Sequence, residues 1–332
     1  MKRYTLLLIT ILLLLAVLST TALSIEPKSK GINVSEITKS ADSLLNEADA
    51  TFKSRNYKTA LEQYQTALEE SQKEFNISVE TEALSQMARM NLLLGDPEEG
   101  HKWLSKAGER ASESDPMGWS RYLGVRGRFE WQDDDLKTAR VTFEKMFEYC
   151  NANALWGRAV DAAHMIAIVA KNPEDQIEWG RRGIEIAEAA DNESWLGPLW
   201  NNLAGTYWDI KQYDFALSCY KKAREYHWRF SGEVAKLFAD YHIGMTYRFL
   251  GQNDEARKWL RPVLAWAERL ENHGVIGQAC EDLGEADISD GKKDSGLQML
   301  KRAQKEYQLE GYDKTWPEVW DGINKRIAKL EK

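Results

Sequence analysis

The stretch that decides the fold is Trp200–Ala223, WNNLAGTYWDIKQYDFALSCYKKA. Leu203, Ala204 and Tyr207 are followed, past a short polar turn, by Tyr213, Ala216, Tyr220 and Ala223. Apolar residues three and four apart on both sides of a turn mark two amphipathic helices. Small residues sit where those helices cross closely, and aromatics fill the gap beside them. The same frame returns along the chain: Ala48, Tyr57, Ala60, Tyr64, Ala67; Ala88, Gly95, Gly100, Leu104, Ala107; Gly127, Leu136, Ala139, Phe143, Met146. It returns again at Gly244, Tyr247, Gly251, Ala256, Leu260, Val263, and at Leu283, Gly284, Gly291, Gly296, Leu300, Ala303. A weaker copy runs through His164, Pro173, Gly180 and Gly183.

These residues resemble the tetratricopeptide repeat, a helix-turn-helix unit with a W-L-G-Y…A-F-A type of pattern. The resemblance implies an all-α fold: a right-handed α-solenoid of about seven such units, with a C-terminal capping helix. The small-residue landmarks fall at 48, 88, 127, 164, 204, 244 and 284, a spacing of 37 to 40 against the usual 34 or so. The proline that ordinarily closes each unit is replaced by Gln72, Ser112, Asn151, Glu188, Trp228, Glu268 and Gln308. Without that stop the second helix continues, so a long-helix variant is expected, with about 9 Å of added helix per repeat at about 1.5 Å per residue.

The ends of the sequence read differently. Lys2 and Arg3, the uncharged run Leu6–Leu18 and the small residues around Ala22-Leu23-Ser24 have the layout of an export signal. Residues 4–25 also carry no charge and are long enough to span a bilayer, so an uncleaved anchor is the other reading. The expected organisation is 1–24 signal peptide or anchor, 25–35 spacer, 36–311 solenoid and 312–332 capping helix. In that last helix Thr315 and Glu318 form a candidate capping box around Pro317, Trp320, Ile323 and Ile327 continue the register, and Lys325, Arg326 and Lys329 face outward. An exported or membrane-anchored protein facing outward is the expected location.

Composition agrees with a soluble repeat protein: 332 residues, 29% charged, 43% hydrophobic, few prolines and no low-complexity linker. The net charge of −8 excludes a global basic field for nucleic acid. Cys150, Cys219 and Cys280 are odd in number and widely spaced, which reads as buried free thiols. Three sequons, at Asn33, Asn76 and Asn192, carry meaning only in a glycosylating host.

The thirteen tryptophans need placing. Trp103, Trp179 and Trp259 share one position on the second helices, and Trp119 and Trp156 another before the first helices; recurrence favours packing. Trp131 and Trp208 fall on the first-helix face that lines the concave groove in the resembling family. That face also presents Arg121 and Arg128, then Arg158 and Asp161, then Asn201, then Tyr241, Arg248 and Phe249, while the first unit offers Asp42 and Asp49 and the last Glu281 and Glu285. One reading is a groove in which Arg121, Arg128, Arg158, Arg248 and Asn201 hold carboxylates and Trp131, Trp208 and Tyr241 hold apolar side chains. The other is that the arginines pair with acidic neighbours on adjacent helices and stay solvated.

No phosphate-binding glycine loop, H-E-x-x-H, G-x-S-x-G or dinucleotide fingerprint occurs, the five histidines lack metal-ligand spacing, and Asp287–Asp294 misses the offsets of a calcium loop. No cofactor or metal is implied. The expectation is a non-catalytic extracytoplasmic scaffold binding an acidic and apolar protein or extended peptide, with no nucleic acid and membrane contact only through residues 4–25. The alternatives are a peptide sensor whose superhelix closes on its ligand and, more remotely, an enzyme on a helical solenoid.

Overall fold

A computed structural model describes residues 39–332. The export or anchor segment, the spacer, the Asn33 sequon and the first residues of the expected solenoid lie outside the described residues. No helix among the described residues is long and apolar enough to cross a membrane.

The described residues are all-α and divide into two compact units, residues 39–172 and residues 173–332. The first holds α1 (Ala41–Lys53), α2 (Tyr57–Glu74), α3 (Ile77–Leu93), α4 (Pro97–Arg110), α5 (Pro116–Gln132), α6 (Leu136–Ala152) and α7 (Trp156–Val169). The second holds α8 (Pro173–Ala189), a 3-10 turn (Glu193–Trp195), α9 (Leu196–Asp209), α10 (Tyr213–Phe230), α11 (Glu233–Phe249), α12 (Asn253–Arg269), α13 (His273–Ser289), α14 (Lys293–Leu309), the short α15 (Tyr312–Thr315) and α16 (Pro317–Leu330). The division falls between α7 and α8, the two helices of the weakest copy of the repeat.

Within each unit, consecutive helices pack as pairs. The landmarks lie at the crossings: Ala48, Ala88 and Ala204 are fully buried, and Gly284 faces the carbonyl of Gly296 so closely that a Cβ would sit 3.0 Å from it. Aromatics fill the adjoining space, with Tyr64, Phe129, Phe143 and Tyr307 fully buried. Helices α6, α8, α12 and α14 each run for 17 residues, as the missing prolines predict, whereas α4 stops after 14 residues at Arg110 although Ser112 stands where its proline would be.

Helix ends have local causes. Asn56, Asn76, Asp96, Asp135 and Asn272 each accept a backbone N–H of the helix they start, and Pro97 and Pro116 occupy first-turn positions where no N–H is needed. In place of proline, the stop between repeats is a left-handed residue at Phe75, Ala154, Asp191, Glu271 and Gly311, which all have positive φ, whereas α4 and α10 end on extended residues, Ala111 and Ser231. The turn inside a repeat uses the same device at Arg55, Gly95, Asp134, Lys211, Gly251 and Gly291.

Several expectations are corrected. The start of α16 is not a capping box: its N-cap is Trp316, and the Thr315 hydroxyl donates to the Gly311 carbonyl instead. Arg326 does not face outward but pairs with Glu281 and Glu285, because the register that buries Ile323 and Ile327 turns it toward α13. Trp103 packs half-buried against the first unit's core, whereas Trp156, at the start of α7, is exposed and is not a core residue.

Candidate functional site

In the first unit the first helices of successive repeats, α1, α3, α5 and α7, bring one set of charged side chains together. Asp49 on α1 accepts from the hydroxyl of Tyr64 at 2.5 Å, from Nε2 of Gln86 at 3.2 Å and from Nη2 of Arg121 at 2.8 Å. Glu82, on α3 and only 5% exposed at its side chain, receives Nε of Arg121 at 2.9 Å and Nη2 of Arg158 at 2.5 Å. Arg158 also donates to the Ser120 hydroxyl at 2.6 Å and to the Met117 carbonyl. Arg128 donates to Asp161 at 2.7 Å and to the Gly124 carbonyl at 2.8 Å.

The expected groove arginines are therefore committed to carboxylates on neighbouring helices, and with 20% or less of each side chain exposed they are not a solvated face. Burial favours the uncharged carboxyl of Asp49, but the Arg121 guanidinium and the hydrogen bonds from Tyr64 and Gln86 hold it below the usual carboxylate range. Asp161 shows the same balance, with burial opposed by Arg128 and Arg89. The Tyr64 phenol is pushed well up by burial and by Asp49. Burial pushes His164, beside Asp161 and Arg128, down to about 4.

One cation of this cluster was missed by sequence reasoning. Arg89 on α3 is half-buried, its guanidinium lies 4.7 Å from the centroid of the Phe52 ring, and it makes no hydrogen bond or ion pair among the described residues. Burial, and then the guanidinium groups of Arg128 and Arg121, push it down to about 9, with Asp161 pulling the other way. A signal existed: Asp49, Arg89 and Arg128 each directly follow a landmark, Ala48, Ala88 and Gly127. Trp131 stands half-buried near the C-terminal end of α5.

In the second unit the four remaining candidates do not form a set of open groups. Trp208 is 4% exposed and packs on Tyr213 and edge-on against Phe249, with ring centroids 4.9 and 4.5 Å away. Tyr241, 5% exposed, donates its hydroxyl to Asp282 at 2.9 Å, and Arg248 donates to the other oxygen of Asp282 at 2.7 Å. Both aromatics are core or network residues because α11 and α13 close over them; Asn201 on α9 stays half-buried. Glu281 accepts from Tyr307 at 2.6 Å and from Arg326 at 2.5 Å. Glu281, Asp282 and Glu285 together outnumber Arg248 and Arg326, so this face leans acidic while that of the first unit leans basic.

Among the described residues no group of three or more histidine, cysteine, aspartate or glutamate side chains is placed to hold a metal ion. Cys150, Cys219 and Cys280 are free and buried, and burial raises each thiol, which makes them poor nucleophiles.

Two segments match tetratricopeptide-repeat family models, residues 197–225 and residues 241–273. With the same register recurring in both units, these matches and the fold support repeats of the tetratricopeptide type. No curated protein matches the chain in sequence. Among solved structures it is similar to the Signal Transduction ATPase with Numerous Domains (STAND) protein with a tetratricopeptide repeat sensor from Pyrococcus horikoshii, with a TM-score of 0.69 at 16% identity over 86% of this chain and 44% of that one. It is also similar to the apo form of RapI, with a TM-score of 0.67 at 13% identity over 81% of this chain and 77% of that one. The protein thus spans less than half the length of the Pyrococcus protein, and identities this low speak for the fold alone.

Proposed function

We propose that the protein is a non-catalytic protein-interaction scaffold that works outside the cytoplasm and takes an extended protein segment on the first-helix face of residues 39–172. The observation that carries this reading is the polar interior of α3, where Glu80, Thr81, Glu82, Ser85, Gln86 and Asn91 are all buried. A packing helix gains most from apolar residues at such positions, and buried ion pairs contribute little net stability over well-packed apolar replacements. Thr81, Ser85 and Asn91 donate to carbonyls of α3 itself, while Glu82 and Gln86 hold Arg121, Arg158, Asp49 and Tyr64 in place, so the polar side chains of this face are fixed in advance of a partner. The reading of residues 1–24 as a cleaved signal supports the location, and three unpaired buried cysteines suit a compartment where exposed thiols would oxidise.

Panning the purified full-length protein against a phage-displayed random peptide library tests the binding claim. An enriched peptide should slow amide exchange in residues 77–93, 116–132 or 156–169. No enrichment, or protection confined to other helices, would sink the reading. For the location, intact mass of the native protein should start at Ile25 and be found outside the cytoplasmic fraction; a protein that retains Met1 in the membrane fraction would establish the anchor instead.

A second reading, a ligand sensor, is supported by the likeness to the tetratricopeptide repeat sensor of the Pyrococcus protein. Small-angle scattering of the full-length protein with a selected peptide separates the two. Compaction favours the sensor and an unchanged radius of gyration the scaffold.

A further inference from the structure

We propose that the edge of the first unit where its first helices begin is a contact surface for a lipid bilayer, made by Phe75, Ile77, Met117 and Trp156. The inference is independent of the peptide-face reading, because it uses the starts of the helices rather than their inner face.

Hydrogen bonds set these side chains in a row. The Ala41 N–H at the start of α1 donates to Glu74 at 3.1 Å, and Asn76 donates to Asp42 at 3.1 Å, so Phe75 and Ile77 stand beside the start of α1. Ser78 donates to Asp115 at 2.8 Å, which ties the start of α3 to that of α5. Arg158 donates to the Met117 carbonyl and, at 2.6 Å, to the Ser120 hydroxyl, which ties α7 to α5. All four apolar side chains are exposed, Phe75 to 89%. Phe75 also has φ 56°, in the left-handed region that a bulky residue avoids and that asparagine or glycine would fill more easily. A ring kept in water on a strained residue, in line with three more exposed apolar side chains, marks a contact surface.

The chain itself points to the occupant. Residues 4–25 carry no charge and are long enough to span a bilayer. Residues 26–40, which join them to α1, reach about 50 Å when extended. Neighbouring first helices at about 10 Å spacing put Trp156 within that reach. The edge that carries the row is therefore the edge brought to the membrane, whether residues 1–24 are cut off there or stay as an anchor. Phenylalanine and tryptophan with aliphatic neighbours are also the side chains that enter the interfacial layer. Lys73, Lys145 and Arg158 are paired with Glu70, Glu113 and Glu82, so the contact is apolar insertion and calls for no anionic headgroup.

The test places the full-length protein in phosphatidylcholine vesicles. The three native cysteines are buried, so a fluorophore is attached selectively at Phe75→Cys, Met117→Cys, Trp156→Cys or Leu94→Cys. Leu94 is exposed just past the far end of α3, about 25 Å from its start, and serves as the control. Lipids with brominated acyl chains should quench the first three labels more than about twice as strongly as the fourth. Equal quenching at all four positions overturns the assignment, and so does its absence at all four, which would give the row to a protein partner.

A tether alone also holds this edge near lipid, so the Trp156→Cys label is read again with Phe75→Asn and Met117→Gln present. Asparagine accepts the left-handed backbone, and a circular-dichroism melt should show the variant folded as the parent is. Quenching should fall by about half or more; if it does not change, the tether makes the contact and the row does not. Replacing part of the lipid by phosphatidylglycerol should alter quenching little, and a strong dependence on it would overturn apolar insertion.

Discussion

Glu82 accepts from two guanidinium groups while almost wholly buried, so it carries more than one bond's share of the first unit. Replacing it by glutamine keeps the shape but leaves Arg121 and Arg158 short of counter-charge. Breaking a buried pair by removing one partner typically costs about 3–5 kcal/mol. Glu82→Gln should therefore lower the urea midpoint of the full-length protein, and an unchanged midpoint would mean that the network carries no net stability. Arg89→Met should behave in the opposite sense, since no partner loses a bond. The contrast between two charged residues seven positions apart on one helix is invisible in their spacing. It depends on which helix faces each of them.

At the scale of elements, the stop signal at most of the breaks between repeats is a left-handed conformation rather than a residue type, α4 and α10 ending on extended residues instead. Phe75, Ala154, Asp191 and Glu271 hold a left-handed backbone that costs about 1–2 kcal/mol for a residue with a Cβ, and the packing on either side sustains it. Gly251 serves the turn inside its repeat at φ +73° with open space where a Cβ would be, so a substitution there meets conformational strain alone. Gly251→Val should cost about 1–2 kcal/mol in chemical denaturation, whereas Glu271→Gly should cost nothing. Trp208 belongs to this scale too. Truncating a buried tryptophan to alanine costs about 3–5 kcal/mol, so Trp208→Ala should lower the unfolding midpoint steeply while leaving the affinity of the remaining folded protein for a first-unit peptide unchanged.

The helices, their pairing and the landmark crossings were legible in the sequence because small residues and aromatics recur at fixed offsets that only close helix pairs require. The candidate face was legible as a set of positions. What those positions do was not: Trp131 and Trp208 fall on the same repeat position, yet one is half-buried and the other is covered by Phe249 and Tyr213. The capping box at Thr315 failed for a related reason. A hydroxyl that could cap α16 finds the Gly311 carbonyl nearer, because the short helix α15 intervenes.

At the scale of the whole molecule, each unit holds a histidine that resists protonation, His164 half-buried and His242 buried. Burial pushes His164 in the first and His242 in the second down to about 4 from an ordinary value of 6.5. A folded value below the unfolded one means that the unfolded state binds the extra proton, so stability is full above pH 6.5 and is lost as pH falls toward 4. Asp49 and Asp161, held low in the fold, add a further loss once pH drops below about 4. Denaturation midpoints should fall between about pH 7 and about pH 5, and His242→Phe, which keeps a ring against Tyr220, should remove part of that fall. A pH-independent midpoint over this window would contradict the lowered values of both rings.

The sequence by itself determined the repeat, its long period and the helices, because those follow from local periodicity and from the sizes of residues at close crossings. It also named most of the charged residues on the first-helix face. Only the tertiary structure decided that Arg121, Arg128, Arg158 and Arg248 are spent on carboxylates, that Tyr241 and Trp208 are enclosed, and that Arg89 makes no ion pair. Pairing is a property of distances between helices, and a net charge can be read along a sequence only as a sum. Which cation goes without an ion pair is settled where the helices meet.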